Sequence, residues 1–495
     1  MKSDGISRAG RVGLLVAPAV VLAVLLTEPP QGLGVDAWRT AGVVGAMAIL
    51  WVTEAIPIPA TALLPLVLFP LLNVAAVKDA AAPYANPVIY LFMGGFFLAL
   101  GMQRWRLHQR MALWIIGFTG SRVTHVLGGF MAATAFVSMW VSNSATALMM
   151  LPIALSVVEL LRERMSDAEP RAVDGVGLAL MLGVAYASSI GGLGTLIGTP
   201  PNALLAGFLN ETYGFHIGFG EWMLVGVPLV IAGIPLTHAI LVRACLTDRW
   251  LEVPGLQHEV GRELAKMGPL SRGEITVALV FFVAAFCWIA QPLLKPFVPG
   301  MTDTTIAMGA AVALFFLPVD WRAGKFALCW KDVREFPWAI LLLFGGGLSM
   351  AEMVDKTGLA AWLGTLTSAW HGFPILVVVV LATTAVLFLT ELTSNTATAA
   401  TFLPVVASVA IGMGQNPLLL AIPTALAASC AFMLPVGTPP NAVVFSSGLV
   451  PLPKMARVGL WVNLLFIVLI PLAVFTVALW VFGIVPGETP PWTTR

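Results

Sequence analysis

Two segments of this 495-residue chain concentrate neutral, oxygen-bearing side chains at matching spacings. Phe136-Val-Ser-Met-Trp-Val-Ser-Asn-Ser-Ala-Thr-Ala-Leu-Met-Met-Leu-Pro152 aligns without a gap on Phe388-Leu-Thr-Glu-Leu-Thr-Ser-Asn-Thr-Ala-Thr-Ala-Ala-Thr-Phe-Leu-Pro404. Downstream of each copy, Gly198-Thr-Pro-Pro-Asn-Ala203 returns unchanged as Gly437-Thr-Pro-Pro-Asn-Ala442. Ser, Thr and Asn oxygens, joined by main-chain carbonyls, suit a hard, weakly charged cation such as Na⁺. Amide N–H groups, hydroxyls and helix N-termini suit the oxygens of an anion.

The proline pairs sharpen this reading. Proline has no N–H and breaks a helix, and non-helical backbone at membrane depth is tolerated only where it is buried in protein or lines a cavity. An ion or substrate can then supply the missing partners. A single Ser or Thr in a membrane helix needs no more than backbone satisfaction or helix packing to explain it; a whole polar pattern duplicated at equivalent places needs more. No Lys or Arg lies in or near the four segments, and neutral dipoles alone hold a dianion poorly in a low-dielectric site. Na⁺ bound beside the substrate would lower that cost, so obligatory coupling of cation to anion is the physical expectation.

The elements that must position these residues are membrane helices. Hydrophobic residues make up 59% and charged residues 10% of the chain, with mean hydropathy +0.92, whereas about 25% charge is ordinary for a soluble protein. Apolar runs of roughly 17 to 25 residues fit a bilayer core of about 30 Å. The pattern predicts an all-α polytopic membrane protein with spans near 12–28, 38–56, 59–76, 86–103, 175–210, 219–242, 274–293, 303–319, 337–355, 417–448 and 456–484. Two longer segments, 121–160 and 373–413, are interrupted at Ser142-Asn143-Ser144 and Ser394-Asn395-Thr396 and read as re-entrant hairpins. With eleven crossings and a cytoplasmic N-terminus, 21 of the 26 Lys and Arg fall inside, leaving Arg39, Lys78, Lys295, Lys356 and Arg495 outside. That split obeys the positive-inside rule, and making either hairpin a single crossing spoils it. The first hairpin then enters from the cytoplasm and the second from outside, giving two inverted-topology repeats, an architecture of secondary transporters.

Lys2, Arg8 and Arg11 precede the apolar run Val12–Leu26, and no small-residue cleavage site follows, so the run reads as a first spanning helix rather than a signal peptide. A net charge of +1 leaves no basic surplus for a nucleic-acid partner. Cys245, Cys287, Cys329 and Cys430 are scattered, which predicts neither a disulfide nor a metal–thiolate site.

The paired Ser-Asn-Ser/Thr tips, each followed by a Gly-Thr-Pro-Pro-Asn break, resemble the divalent-anion/sodium symporter family of dicarboxylate, tricarboxylate and sulfate transporters. The resemblance covers nearly the whole chain. It implies a homodimer in the lipid bilayer, with a scaffold domain that holds still and a transport domain that moves as an elevator. On this chain the scaffold would be 1–103 and 274–355, and the transport domain 104–242 and 356–484, with a cytoplasmic loop at 243–273 and an extracytoplasmic tail at 485–495. Carried over by motif, one sodium site would use Ser138, Ser142, Asn143 and the backbone around Gly198; the other would use Thr390, the backbone at Thr393, Asn395 and the backbone around Gly437. Substrate carboxylates would meet Asn143, Ser144 and Thr199 from one half, and Ser394, Asn395, Thr396 and Thr438 from the other. The first tip departs from the family's Ser-Asn-Thr pattern: Ser144 keeps the hydroxyl but loses a methyl, which makes the pocket roomier.

The remaining polar residues divide between roles. Glu391, whose counterpart in the first half is Met139, either braces its hairpin or tunes cation binding, and the brace is favoured. Glu54 reads as a cap or anchor at a helix junction, His238 as a satisfied core histidine, and Glu352 with Asp355 as a solvated helix end. Gly94-Gly95 and Gly345-Gly346-Gly347 fit close packing and a sliding interface equally well. The leading expectation is sodium-coupled uptake of small dicarboxylates, C4 acids such as succinate, across a bacterial inner membrane, with no organic cofactor. A sodium-independent exchanger and a citrate or sulfate carrier on the same frame are the variants. An intramembrane enzyme would need a nucleophile with its base, or a metal cluster, at membrane depth; no His-Glu-x-x-His, paired Asp or Gly-x-Ser-x-Gly appears in the spans. A channel would need a continuous lining, which broken helices facing one another do not suggest.

Overall fold

The computed structural model describes residues 8–164, 170–248, 250–253, 255–367 and 373–493. Lys2, Arg249 and Arg495, counted in the charge split, lie outside the described residues. The chain is helical nearly throughout. It opens with α1 (Arg8–Leu26), α2 (Val35–Thr53), α3 (Ile58–Thr61), α4 (Leu64–Leu71), α5 (Val77–Ala81), α6 (Pro87–Arg104) and α7 (Leu107–Gly117). Then come α8 (Val123–Ser138), α9 (Asn143–Arg164), α10 (Pro170–Gly192), α11 (Pro200–Tyr213), α12 (Phe219–Cys245) and α13 (Leu256–Met267). The second half runs through α14 (Arg272–Leu294), α15 (Asp303–Phe316), a short antiparallel pair β1 (Pro318–Asp320) and β2 (Lys325–Phe326), α16 (Trp338–Lys356) and α17 (Leu359–Thr367). It closes with α18 (Ile375–Thr390), α19 (Asn395–Gly412), α20 (Leu418–Ala428), α21 (Pro439–Phe445) and α22 (Leu452–Ala473).

Ten of the described helices are long and apolar enough to cross a membrane. Eleven crossings were expected, and three of them, 59–76, 303–319 and 417–448, are not among the ten; the last is broken into the short helices α20 and α21. The span expected at 59–76 is two short helices, α3 and α4, parted at Ala62–Leu63; Pro59 and Pro65 start them and Pro70 interrupts the second. The span expected at 303–319 stops at Phe316 and passes into the β1–β2 turn. The ten in turn include α9 and α19, the second arms of the two hairpins.

The helices α8–α12 and α18–α22 repeat one packing pattern. α10 packs on α8, α9 and α12, and α20 packs on α18, α19 and α22. The halves also exchange contacts: α9 meets α21, α19 meets α11, α10 meets α21 and α20 meets α11. The glycine runs sit where α6 and α16 touch both neighbours. A Cβ on Gly94 would lie 2.6 Å from the Ala307 backbone of α15, while the Gly95 position faces Ile197, beside the α10–α11 break. On α16, Gly346 backs onto Ala62 and Gly347 faces Ala400 of α19.

The 243–273 segment is not a bare loop. Its α13 buries Leu256 and Val260 against α7, and Val123 and Val253 donate to Leu251 O and Ser121 O, tying the segment to the start of α8. Arg110 of α7 is buried against Glu274, with Nε to Oε1 at 2.6 Å, and Ser271 N donates to Glu274 Oε2 at 2.7 Å. His238 Nε2 lies 2.9 Å from Thr124 O, a satisfied histidine. Glu54 is the left-handed C-cap of α2. Asp355 is exposed, but Glu352 is half-buried and pairs with Lys356, so only part of that helix end is solvated.

Candidate functional site

Each hairpin turns in four residues without Gly or Pro: Met139–Ser142 and Glu391–Ser394. Ser142 Oγ accepts from Ala145 N at 3.4 Å and Thr146 N donates to Ser142 O, so Ser142 serves as the N-terminal turn of α9. Both breaks have one geometry. Thr199 (φ −144°, ψ 142°) and Thr438 (φ −141°, ψ 150°) are N-caps, and the two prolines behind each fill the first helical positions, where a missing N–H costs nothing. The asparagine that ends each Gly-Thr-Pro-Pro-Asn motif folds back to staple the loop. Asn202 Nδ2 donates to Gly192 O at 3.2 Å and Thr195 O at 2.9 Å; Asn441 Nδ2 donates to Ala431 O at 3.0 Å and Leu434 O at 2.9 Å. Both side chains are fully buried. Sequence reasoning read these asparagines only as part of the break; their exact duplication was the available signal.

The tip asparagines face the broken helices. The inner end of the Asn143 amide is 2.8 Å from Ser138 Oγ, 3.1 Å from Ser188 O and 3.2 Å from Gly198 O. In the second half the Asn395 amide is 2.8 Å from Thr390 Oγ1 and 3.2 Å from both Ala428 O and Gly437 O. The hydroxyls close each set: Ser138 Oγ reaches Ser188 O at 2.7 Å, and Thr390 Oγ1 reaches Ala428 O at 2.8 Å. Each hydroxyl has one proton. If Ser138 gives its proton to Ser188 O, the amide end facing it must be Nδ2, which then donates into the acceptors. If Oδ1 faces inward instead, four oxygens converge with too few protons, and only a cation can balance them. The donor set, one hydroxyl, one amide oxygen and two main-chain carbonyls, could hold a Na⁺ beside a broken helix. Gly192 admits the first cage, because a Cβ there would lie 2.6 Å from the Asn143 amide.

Ser138, Asn143 and Gly198 are thus brought together, as are Thr390, Asn395 and Gly437. The carbonyls of Ser188 and Ala428 complete the sets; a main-chain oxygen leaves no trace in a residue pattern. Ser142 is engaged in its own turn, and Thr393 Oγ1 bonds Leu389 O and Thr398. Ser144, Ser394 and the two asparagines are half-buried at the tips, and Thr396 is buried. Thr199 Oγ1 is buried 3.2 Å from Ser429 Oγ, and Thr438 Oγ1 accepts from Asn441 N at 3.3 Å.

Between the two aligned hairpin segments, one position differs in charge, Met139 against Glu391. Glu391, 3% exposed, accepts from Phe432 N (2.7 Å), Met433 N (2.9 Å), Leu434 N (3.1 Å) and Asn463 Nδ2 (2.8 Å). These four donors occupy it as a brace for the second break.

Fold and site define a polytopic helical membrane protein with two oxygen-rich cages at paired hairpin tips and broken helices. The chain belongs to the family described as sodium:sulfate symporter transmembrane region, whose model matches residues 9–484. It is 42% identical over 478 residues to a protein of Staphylococcus saprophyticus named sodium-dependent dicarboxylate transporter SdcS, covering 96% of this chain and 92% of that one. It is 40% identical over 488 residues to the protein of that name in Staphylococcus aureus, covering 98% and 94%. Two solved structures share the fold at low identity. One is Neisseria gonorrhoeae MtrF, described within a class of antimetabolite efflux pumps (TM-score 0.55, 10% identity, 99% of this chain and 98% of that one). The other is the YdaH transporter of Alcanivorax borkumensis, described as having an unusual topology (TM-score 0.53, 13% identity, 96% and 99%).

Proposed function

We propose that this protein is a secondary transporter that carries small dicarboxylates, C4 acids such as succinate, together with Na⁺. The observation that carries the reading is the doubled cage: each tip asparagine meets one hydroxyl and two main-chain carbonyls, one of them from the Gly-Thr-Pro-Pro-Asn break, within 3.2 Å. Na⁺ in each cage would turn the amide oxygen inward and leave its NH₂ free to face the space between the tips. With Ser144, Ser394 and Thr396, those NH₂ groups would donate to the two carboxylates of a substrate. The anion would thereby find donors and two adjacent positive charges that the side chains alone do not supply. The names of the SdcS relatives point to the same cation and substrate class.

The repeated helix packing in the two halves and their reciprocal contacts support two inverted repeats, with α8–α12 and α18–α22 moving as one transport unit against α1–α6 and α14–α16. Gly95 and Gly347 would face that unit, while Gly94 and Gly346 hold the scaffold together. A homodimer in a bacterial inner membrane, N-terminus cytoplasmic and C-terminus outside, completes the reading; the lysine and arginine distribution supports the orientation.

The test is uptake of labelled succinate into proteoliposomes. Replacing Na⁺ by choline should abolish uptake, and Asn143→Ala and Asn395→Ala should each lower it at least about tenfold at sub-saturating Na⁺, the scale on which removing metal-site partners acts. Competition by malate and fumarate but not by sulfate or monocarboxylates would fix the substrate class. Uptake indifferent to choline replacement overturns the proposal.

A further inference from the structure

The two cages stand on separate helices, yet one hydrogen bond joins them. Ser138 closes on Ser188 O and Thr390 closes on Ala428 O, which makes Ser188 and Ala428 equivalent. The next residue in each case is a serine, Ser189 within α10 or Ser429 capping the end of α20, and both are wholly buried. Ser429 Oγ lies 3.2 Å from Thr199 Oγ1, with Thr199 only 2% exposed. Each partner directly follows a cage carbonyl, Ala428 in one case and Gly198 in the other. A peptide group is a rigid plane from one Cα to the next. Drawing Ala428 O inward therefore pulls on the rigid group that holds the Ser429 N–H, and drawing Gly198 O inward pulls on the one that holds the Thr199 N–H. The opposite-handed link is open: Ser189 Oγ has no hydrogen-bond partner among the described residues, and Thr438, the counterpart of Thr199, accepts from Asn441 N.

We propose that Ser429 is a positioning residue whose hydroxyl, through Thr199, couples the occupancy of the two cages. The inference rests on the assignment of both cages to Na⁺. A cation drawing Ala428 O inward would move Ser429, carry Thr199 with it and set Gly198 O for the second cation. At this burial the two hydroxyls stay paired or one is left unsatisfied. Ser189 has the same burial and chemistry but no partner, and so carries no coupling.

The test is a Na⁺ titration of purified full-length protein without substrate, at constant ionic strength made up with choline, read by thermal midpoint, alongside the Na⁺ dependence of succinate uptake. In wild type the Hill coefficient should exceed 1, its ceiling being the number of coupled sites. Ser429→Ala should bring it down to about 1 and raise half-saturating Na⁺ roughly fivefold or more, a modest coupling by general standards, while maximal uptake at saturating Na⁺ stays within about twofold. Ser429→Thr should restore cooperativity, and Ser189→Ala should leave it unchanged. If the alanine variant fails to fold, Ser429→Cys, a weak donor of similar volume, takes its place. An unchanged Hill coefficient in Ser429→Ala, or an equal loss in Ser189→Ala, overturns the proposal. Asn143→Ala and Asn395→Ala go through the same titration. If neither alters the Na⁺ response, the cage assignment itself falls; if both do and Ser429→Ala does not, the link alone falls.

Discussion

The two breaks carry the same five-residue motif and hold their loops by different groups. In the first half, α10 stays helical through Gly192, four residues beyond the position where α20 ends at Ala428 once Ser188 and Ala428 are superposed. The loop that follows donates to the hairpin: Thr195 Oγ1 gives its proton to Met139 O at 2.5 Å, and Trp222 Nε1 of α12 caps Leu193 O at 3.1 Å. In the second half the loop again donates to the hairpin, but the acceptor is a side-chain carboxylate instead of a main-chain carbonyl and the donors are main-chain N–H groups. Glu391 collects the N–H groups of three successive residues, 432 to 434. A carboxylate that takes three amide protons removes the reason for those residues to remain helical. One substitution between the copies, Met139 against Glu391, thus accounts for the earlier unwinding of α20.

The sharpest way to break this comparison is to remove the carboxylate. Glu391→Ala would orphan the buried Phe432 N–H and Asn463 amide and the part-buried N–H groups of Met433 and Leu434, and each buried group left unpaired costs about 1–3 kcal/mol. A loss of at least about 3 kcal/mol is expected, seen as a collapse of thermal midpoint and yield in detergent. Met139→Leu, a volume-conserving change, should cost less than about 1.5 kcal/mol. Equal destabilisation by the two changes would mean that the halves are braced alike. Glu391→Gln should fall between them, since its oxygen still accepts but its NH₂ would face other N–H groups.

Where the halves agree, their variants should agree. Asn202 and Asn441 each donate to loop carbonyls, and each leaves Oδ1 buried without a partner. Asn202→Ala and Asn441→Ala should each destabilise by about 2 kcal/mol, the unsatisfied carbonyls outweighing the relief of the orphaned oxygens. A denaturation series that separates them by more than about 1 kcal/mol would show that the Glu391 brace also relieves the second staple, which would sharpen the asymmetry into an energetic one.

Much of this was legible beforehand because duplication is a strong signal. The gapless match over 136–152 and 388–404 placed both tips, and proline chemistry placed both breaks within a residue or two. The brace was also legible, since a lone acid three residues before a tip needs a partner. What failed to show follows from what a residue pattern omits. Ser188 and Ala428 contribute main-chain oxygens. Ser142, polar and at the tip, also starts its own helix, where its hydroxyl accepts from Ala145 N at 3.4 Å. The break at Ala62–Leu63 was hidden inside a run apolar enough to span, although its prolines marked it. The Ser429–Thr199 contact joins residues 230 apart and requires the fold.

The comparison extends to the elbows that follow α11 and α21, and here the effect is smallest. The second elbow, 446–451, has no titratable side chain. In the first, His216 lies 3.6 Å from Asp303, a buried carboxylate at the start of α15 that also accepts from Phe219 N at 2.9 Å. Hydrogen bonding to Asp303 holds the His216 imidazole above its ordinary value, against the opposing pull of burial and of Lys295. A raised folded value means the folded state binds the proton more tightly. The stabilisation is therefore fully present below the ordinary histidine range, near pH 6.5, and fades as pH rises through the elevated value. Because the ring is more than half exposed, solvent screens the pair and the effect is small. The thermal midpoint should decline slightly from pH 6 to pH 8 in wild type, and His216→Gln should flatten that slope while leaving the midpoint at pH 8 unchanged. A slope that survives His216→Gln would assign the pH response elsewhere and leave the two elbows electrostatically equivalent.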